Sequence, residues 1–177
     1  MALVSAEELD KLTNNQKVYF ALFCARQSIN LVDVTDADYA YRVIDAINKW
    51  INKDISREEY RVAFREFEKN FIPKYEDITT TVDKVTANRI SPTMNAIRSI
   101  RSAARATAMV VINFEIPRTI SMDAYSCAKY ASNAVAFEFY DLPLKCHAAR
   151  EKAELDQKEY YEELLHFEEM FEKVVLT

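Results

Sequence analysis

The chain has 177 residues, half of them hydrophobic and 29% charged, and this composition fits one globular domain with a sizeable core. It contains no glycine, so glycine-dependent phosphate-binding loops and the GxSxG nucleophile elbow are excluded, and a sheet built from tight hairpins is disfavoured. The net charge of −5 opposes general binding to nucleic acid or to an anionic membrane.

The N-terminal segment predicts a short helix followed by a long one. Ser5 and Glu8 have the spacing of a capping box, in which both side chains satisfy exposed backbone donors, and the helix they begin is expected to end near Leu12. Apolar side chains then recur every three or four residues over 15–32. This is the period of one helix face, so a second helix is predicted there.

The next two helices are predicted to form an antiparallel hairpin. An apolar stripe runs over 36–51, with Trp50 at its edge, and a capping box begins a second helix over 56–71. The link at 52–54 is too short to allow another arrangement.

The middle of the chain predicts a weak helix and a long central one. Residues 75–88 include three consecutive threonines, which have modest helix propensity. Ser91 and Pro92 are typical of an N-cap and a first helical turn, and an alanine-rich apolar stripe continues from them to about 114. Pro117 is expected to close this helix.

The C-terminal third predicts two more helices, over 121–139 and 142–173. Small residues on the inward face of the first permit close packing. The side chains expected to face inward from the second are Leu144, Ala148, Leu155, Tyr160, Leu164, Phe167, Phe171 and Val174. The sequence thus predicts one all-α domain over 1–177, a bundle of about seven or eight helices built from antiparallel helical hairpins.

The charges are distributed asymmetrically along the chain. Residues 84–118 carry six basic groups and one acid, whereas residues 151–173 carry nine acids and three bases. Arg98, Arg101 and Arg105 lie along one side of the central helix because they are three and four positions apart. Either these arginines pair with the acidic last helix, or one charged surface stays exposed for a partner of opposite sign.

Acidic and aromatic residues on the last helix are the main candidates for partner binding. Tyr, Trp and Arg dominate the energetics of protein interfaces, and an acidic face can imitate the nucleic acid that a basic toxin site recognises. Trp50 and the three arginines are the further candidates. The candidates on the last helix are Glu159, Tyr160, Tyr161, Glu162, Glu163 and Glu169.

Few residues suggest chemistry. Glu163 and His166 have the Glu-x-x-His spacing of di-iron bundles, but a second such pair is missing from the sequence. Cys24, Cys127 and Cys146 are odd in number and form no CxxC pair, which indicates free thiols in a reducing compartment. We therefore expect a cytoplasmic protein without catalytic residues, metal or cofactor, and the first residues lack the pattern of a signal peptide.

Two stretches together resemble a known family. Residues 18–55 are similar to the first helical pair of the immunity proteins found beside bacterial polymorphic toxins, with the patterns "ALxCAxxxLxLF" and "AIxAxxxWxxGEIsxxEAR". The alanine-rich runs at 103–106 and 130–135 resemble later helices of that family. Lys53 and Asp54 stand where the family commonly has glycine before "EI". The matching residues are Ala21, Leu22, Cys24, Ala25, Ala46, Ile47, Trp50, Ile55, Ser56 and Glu59.

The resemblance implies a cytoplasmic inhibitor that binds one cognate toxin domain and occludes its active site, without a cofactor and without a nucleic-acid or membrane partner. A homodimer is compatible with it. Three alternatives stay open. The first is an inhibitor encoded by a phage or mobile element that acts on a nuclease defence system, and the second is a metal-dependent helical enzyme using Glu163 and His166. The third is a nucleic-acid binder acting through Arg98, Arg101 and Arg105.

Overall fold

The computed structural model describes residues 3–32, 37–80, 83–112 and 116–166, and these residues form a single bundle without a strand. The predicted all-α class is confirmed. None of the described helices is long and apolar enough to cross a membrane. The helices are α1 (Ala6–Leu9), α2 (Asn14–Ser28), α3 (Asp38–Ile51), α4 (Arg57–Glu66), α5 (Ile72–Thr80), α6 (Lys84–Val111), α7 (Pro117–Phe137) and α8 (Pro143–His166).

Capping boxes begin three of these helices. In the first, the backbone N–H of Ser5 donates to the Glu8 carboxylate at 2.8 Å, and the backbone N–H of Glu8 donates to the Ser5 hydroxyl at 3.1 Å. The two boxes predicted from the sequence are confirmed, and a third one at the start of α2 was not predicted. The boxes pair Ser5 with Glu8, Thr13 with Gln16 and Ser56 with Glu59.

Helices α4 and α5 form one continuous helical rod, because a π-helical turn over Phe67–Phe71 joins them. Pro73, in the first turn of α5, has no N–H to donate, and its ring would clash with a carbonyl one α-turn earlier. The wider π turn relieves this conflict. Counting the rod once gives seven helices among the described residues, within the predicted range.

Two proline positions differ from the sequence prediction. Pro92 was expected to begin a helix but lies inside α6, where it deprives the preceding turn of one hydrogen bond. Thr93 fixes this part of α6 by donating its hydroxyl hydrogen to the Leu31 carbonyl at 2.6 Å. Pro117 was expected to close a helix and instead begins α7, which suits its fixed φ and missing N–H.

Helices α6 and α7 pack against each other along most of their length and form the centre of the bundle. Small side chains allow this close approach, as predicted. Helix α2 lies against both of them, α8 covers α7 and α2, and the α3–α4 hairpin packs on α6. Fully buried small residues of α7 include Ala124, Cys127, Ala128 and Ala131.

The inward face of α8 was predicted only in part, since Leu164 is buried and Tyr160 is partly buried as expected, whereas other members of the predicted stripe are exposed. Leu144 is 87% exposed and Leu155 is 37% exposed, whereas Ala153, Gln157, Tyr161 and Leu164 face the core. The stripe that faces the core contains Gln157, so a search for apolar periodicity does not find this stripe. The amide nitrogen of Gln157 donates to the Ala128 carbonyl at 3.1 Å and to the Gln27 side chain at 2.8 Å, whereas its buried amide oxygen has no hydrogen-bond partner among the described residues. The prediction for Ala148 is also wrong, since it is exposed, and Phe167, Phe171 and Val174 lie outside the described residues.

Candidate protein-binding surface

A groove lined by aromatic side chains runs along the outer face of α2, between the C-terminal end of α3 and helix α8. It consists of two adjoining pockets of about 290 and 300 Å³ that share Tyr19 and Ile51. The first pocket is also lined by Asn15, Val18, Trp50, Lys53 and Ile55. The second is also lined by Leu22, Phe23, Arg26, Asn48, Asn52 and Tyr160. We call these two pockets the aromatic groove.

The turn after α3 places Trp50 and Lys53 at one end of the aromatic groove. The N–H of Lys53 donates to the Trp50 carbonyl at 3.0 Å, and the N–H of Asp54 donates to the Lys49 carbonyl at 2.8 Å. This pair of bonds is a Schellman motif, and it requires a left-handed residue at its penultimate position. Lys53 occupies that position with φ 62°, in the region where glycine is favoured.

Two stacked rings form the wall on the side of α8. The ring of Tyr160 lies on that of Phe23 with centroids 4.4 Å apart and an interplanar angle of 14°. Burial raises the pKa of Tyr160 above its ordinary value, and neighbouring groups including Tyr19 and Glu163 add to the shift. Burial also raises the pKa of Tyr19. Both phenols are therefore neutral at physiological pH, so this wall is apolar with hydroxyl edges.

Arg26 marks the other end of the aromatic groove. Its guanidinium donates to the Asn48 side-chain oxygen at 2.8 Å, which ties α2 to α3. Asn48 is a neutral partner, so this hydrogen bond leaves the positive charge of the arginine uncancelled.

The acidic side of α8 lies next to the aromatic groove. Glu159, Glu162 and Glu163 are exposed, and Tyr160 is half-buried. Tyr161 is only 3% exposed, and its hydroxyl donates to the Glu8 carbonyl at 3.0 Å. The prediction that Tyr161 contacts a partner is therefore wrong, because this ring anchors α8 to α1. Glu169 lies outside the described residues.

The N-terminal segment holds α8 in place from the inner side. The Gln16 amide donates to the Leu164 carbonyl at 3.1 Å, and the Lys158 ammonium binds the Glu8 carboxylate. The hydrogen bond from Lys158 is the main reason that the pKa of Glu8 lies below its ordinary value. These contacts fix the angle at which α8 presents its acidic side.

Among the described residues, the three arginines of α6 do not pair with α8, so the first of the two alternatives given for them is not observed. Arg101 forms a bidentate pair with Glu68 of the π turn, at 2.9 and 2.8 Å. Arg105 lies 3.9 Å from the same carboxylate. The Arg98 guanidinium lies over the Tyr130 ring of α7, 5.8 Å from its centroid. These residues form a surface of their own, separate from the aromatic groove.

Side chains that could suggest catalysis or metal binding are dispersed. Glu163 and His166 are both exposed near the end of α8, and no cluster of three or more His, Cys, Asp or Glu side chains suited to a metal occurs among the described residues. Cys24 and Cys127 are buried free thiols, and burial raises the pKa of Cys127 to about 12. Thiols with so high a pKa are poor nucleophiles.

The sequence prediction found two of the residues that line the aromatic groove, Trp50 and Tyr160. It missed Tyr19, Phe23 and Arg26, which are spaced by four and three positions on α2. This spacing forms a second stripe beside the apolar core stripe. Such a stripe of two aromatics and an arginine is a signal that the sequence did contain.

Comparison of the chain with protein-family models, with curated proteins and with solved structures finds no match. The resemblance to immunity proteins accordingly rests on the residues quoted for it above.

Proposed function

We propose that this chain is an immunity protein that binds a cognate bacterial toxin and occludes the toxin's active site. The observation that carries the proposal is the position of two candidate contacts, Trp50 and Tyr160, in one aromatic groove beside an exposed acidic helix side. Large aromatic side chains in a groove with a charged rim are typical of interface hot spots. Occlusion requires no catalytic group in the inhibitor.

The acidic side of α8 supports the toxin-directed form of the proposal. Within the described part of the chain, Glu159, Glu162 and Glu163 form no ion pair, whereas Lys158 is paired with Glu8 and Lys152 with Asp156. The outer surface of α8 thus presents carboxylates whose charges are not cancelled locally. A toxin with a basic nucleic-acid site offers the complementary surface, and such complementarity accelerates association and fixes orientation.

The test is protection of cells from a toxin encoded beside this gene. Co-expression of the chain is expected to restore growth, and the two purified proteins are expected to form a complex. The double variant Glu159→Lys/Glu163→Lys should weaken binding by at least about tenfold, because two favourable charge contacts become repulsive. The matched control is Glu138→Lys, an exposed substitution at the end of α7.

Three results would reject parts of this proposal. If no adjacent toxin is bound or neutralised, the immunity role is wrong. If the chain instead binds a host nuclease of a defence system, the alternative role as a phage or mobile-element inhibitor is correct. If Glu138→Lys weakens the complex as much as the α8 double variant does, then the acidic side of α8 is not the contact surface.

A further inference from the structure

The aromatic groove has a charge pattern opposite to that of the neighbouring acidic side of α8. Among the described residues that line it, the two charged ones are Lys53 in the first pocket and Arg26 in the second. The other lining residues are aromatic, aliphatic or amides. One cation therefore stands near each end of an apolar channel.

The length of the aromatic groove indicates how much chain it can hold. The lining residues on α2 extend from Asn15 to Arg26, and eleven steps of about 1.5 Å along a helix give about 16 Å. An extended peptide advances about 3.3 Å per residue, so about five residues fit between the two ends. A helix is about 10 Å wide, which is harder to seat in a channel formed by pockets of only about 300 Å³.

The backbone at Lys53 adds a separate argument. A lysine in the left-handed conformation costs more than glycine there, and such strain is concentrated at functional sites. Glycine would make the same turn but would bring no charge to the mouth of the first pocket. Lys53 thus has the strained backbone and also supplies the cation of the first pocket.

We propose that the aromatic groove binds an extended segment of the partner protein, about five residues long, with apolar side chains at its centre and Asp or Glu at its ends. The central side chains pack on Trp50, Tyr19 and Tyr160, and the end carboxylates approach Lys53 and Arg26. Attribution of the segment to a toxin rests on the proposed function, whereas the chemistry of the segment follows from the groove alone.

The carboxylate of Glu163 also affects the electrostatics of the second pocket. Glu163 is close enough to Tyr160 to raise the pKa of that phenol, while Arg26 lowers it. The second pocket thus has charged groups of both signs near Tyr160. We therefore test Lys53 and Arg26 together.

Three synthetic heptapeptides test the proposal without any toxin. The first is Asp-Glu-Leu-Phe-Leu-Glu-Asp, the second replaces its four acids by lysine, and the third keeps the acids and replaces the centre by Ser-Asn-Ser. Trp50 is the single tryptophan of the chain, so its fluorescence on titration reports on the groove alone. Anisotropy of labelled peptides measures binding independently of that signal.

We expect the first peptide to bind at least about tenfold more tightly than either of the others, with a shift of Trp50 emission. The double variant Lys53→Glu/Arg26→Glu should reverse the preference toward the lysine peptide. Lys129→Glu, an exposed substitution on α7, is the matched control and should change nothing. Far-UV circular dichroism checks that each variant is folded.

Several outcomes would overturn the inference. These are equal affinities for the acidic and basic peptides, no binding of the first peptide at millimolar concentration, and binding that leaves Trp50 emission unchanged. A dimer that dissociates on Trp50→Ala, seen by light scattering, would instead identify a second copy of the chain as the occupant. Because no toxin is present, these results are independent of the protection assay for the proposed function.

Discussion

Replacing Lys53 by glycine should stabilise the fold. Lys53 has φ 62° at the end of α3, and both hydrogen bonds of the Schellman motif depend on this conformation. The side chain of any residue with a Cβ crowds the following carbonyl in the left-handed region. Glycine removes that conflict and leaves the two backbone hydrogen bonds in place.

The expected gain is the difference between two opposing effects. The left-handed conformation costs a non-glycine residue about 1–2 kcal/mol. Glycine makes the unfolded chain more flexible, which costs about 0.4–1 kcal/mol of stability. The net increase in the free energy of unfolding should be about 0.5–1 kcal/mol, or about 2–4 °C in Tm at the upper end for a chain of this size.

Urea unfolding followed by circular dichroism at 222 nm measures this change. Lys53→Ala is the matched control, because it removes the same ammonium group and retains a Cβ, so it should not be stabilising. A glycine variant that is no more stable than the alanine variant would refute the assignment of backbone strain to this turn. The same comparison separates the strain from any contact made by the lysine side chain.

Two further predictions concern charged groups. In a double-mutant cycle, Arg101→Met and Glu68→Gln should show a coupling of about 1–2 kcal/mol in the free energy of unfolding, because the bidentate pair is shielded from solvent. If the effects of the two substitutions are additive, the pair contributes nothing to stability. The pKa of Asp10 lies below its ordinary value of 3.8 because the Ser121 hydroxyl and then Arg118 donate hydrogen bonds to it. This carboxylate therefore contributes stability above pH 3.8 that is lost as the pH falls through its lower folded pKa. Ser121→Ala should make the loss of stability between about pH 5 and pH 2 smaller than in the parent chain, as measured by urea unfolding at each pH, and identical pH profiles would contradict this.

Much of the fold could be predicted because it depends on local signals. Capping boxes such as Ser56 with Glu59 and the apolar stripe of α3 are short-range patterns, and both have the predicted structure. Pro92 was predicted incorrectly because tertiary contacts, including the hydrogen bond from the Thr93 hydroxyl to the Leu31 carbonyl, outweigh the local cost of a proline within a helix. Local rules contain no information about such long-range compensation.

The surface was harder to predict than the core. The summed charge of the segments left two alternatives open for Arg101, pairing with the acidic last helix or exposure to a partner, and it did not identify the actual partner. Its actual partner is Glu68, one residue of a π turn whose position depends on the conflict at Pro73. Tyr161 was misjudged for a similar reason, since its burial depends on the approach of α1 to α8. In both cases the deciding contact joins segments far apart in sequence.

The pairing of charges inside the bundle has a consequence for the outer surface. Arg101 is neutralised by Glu68, and Lys158 by Glu8, so two of the cations that could attract the acids of α8 are already engaged elsewhere. The negative potential of the acidic side of α8 is then directed outward, since Glu159, Glu162 and Glu163 have no described cation within ion-pair distance. Lys53 and Arg26 supply the positive charge next to it, across the aromatic groove. A partner that complements both charged regions must present a basic surface to α8 and an acidic segment to the aromatic groove, at a fixed distance and orientation from each other. This double requirement would select one partner far more strictly than either charged region alone.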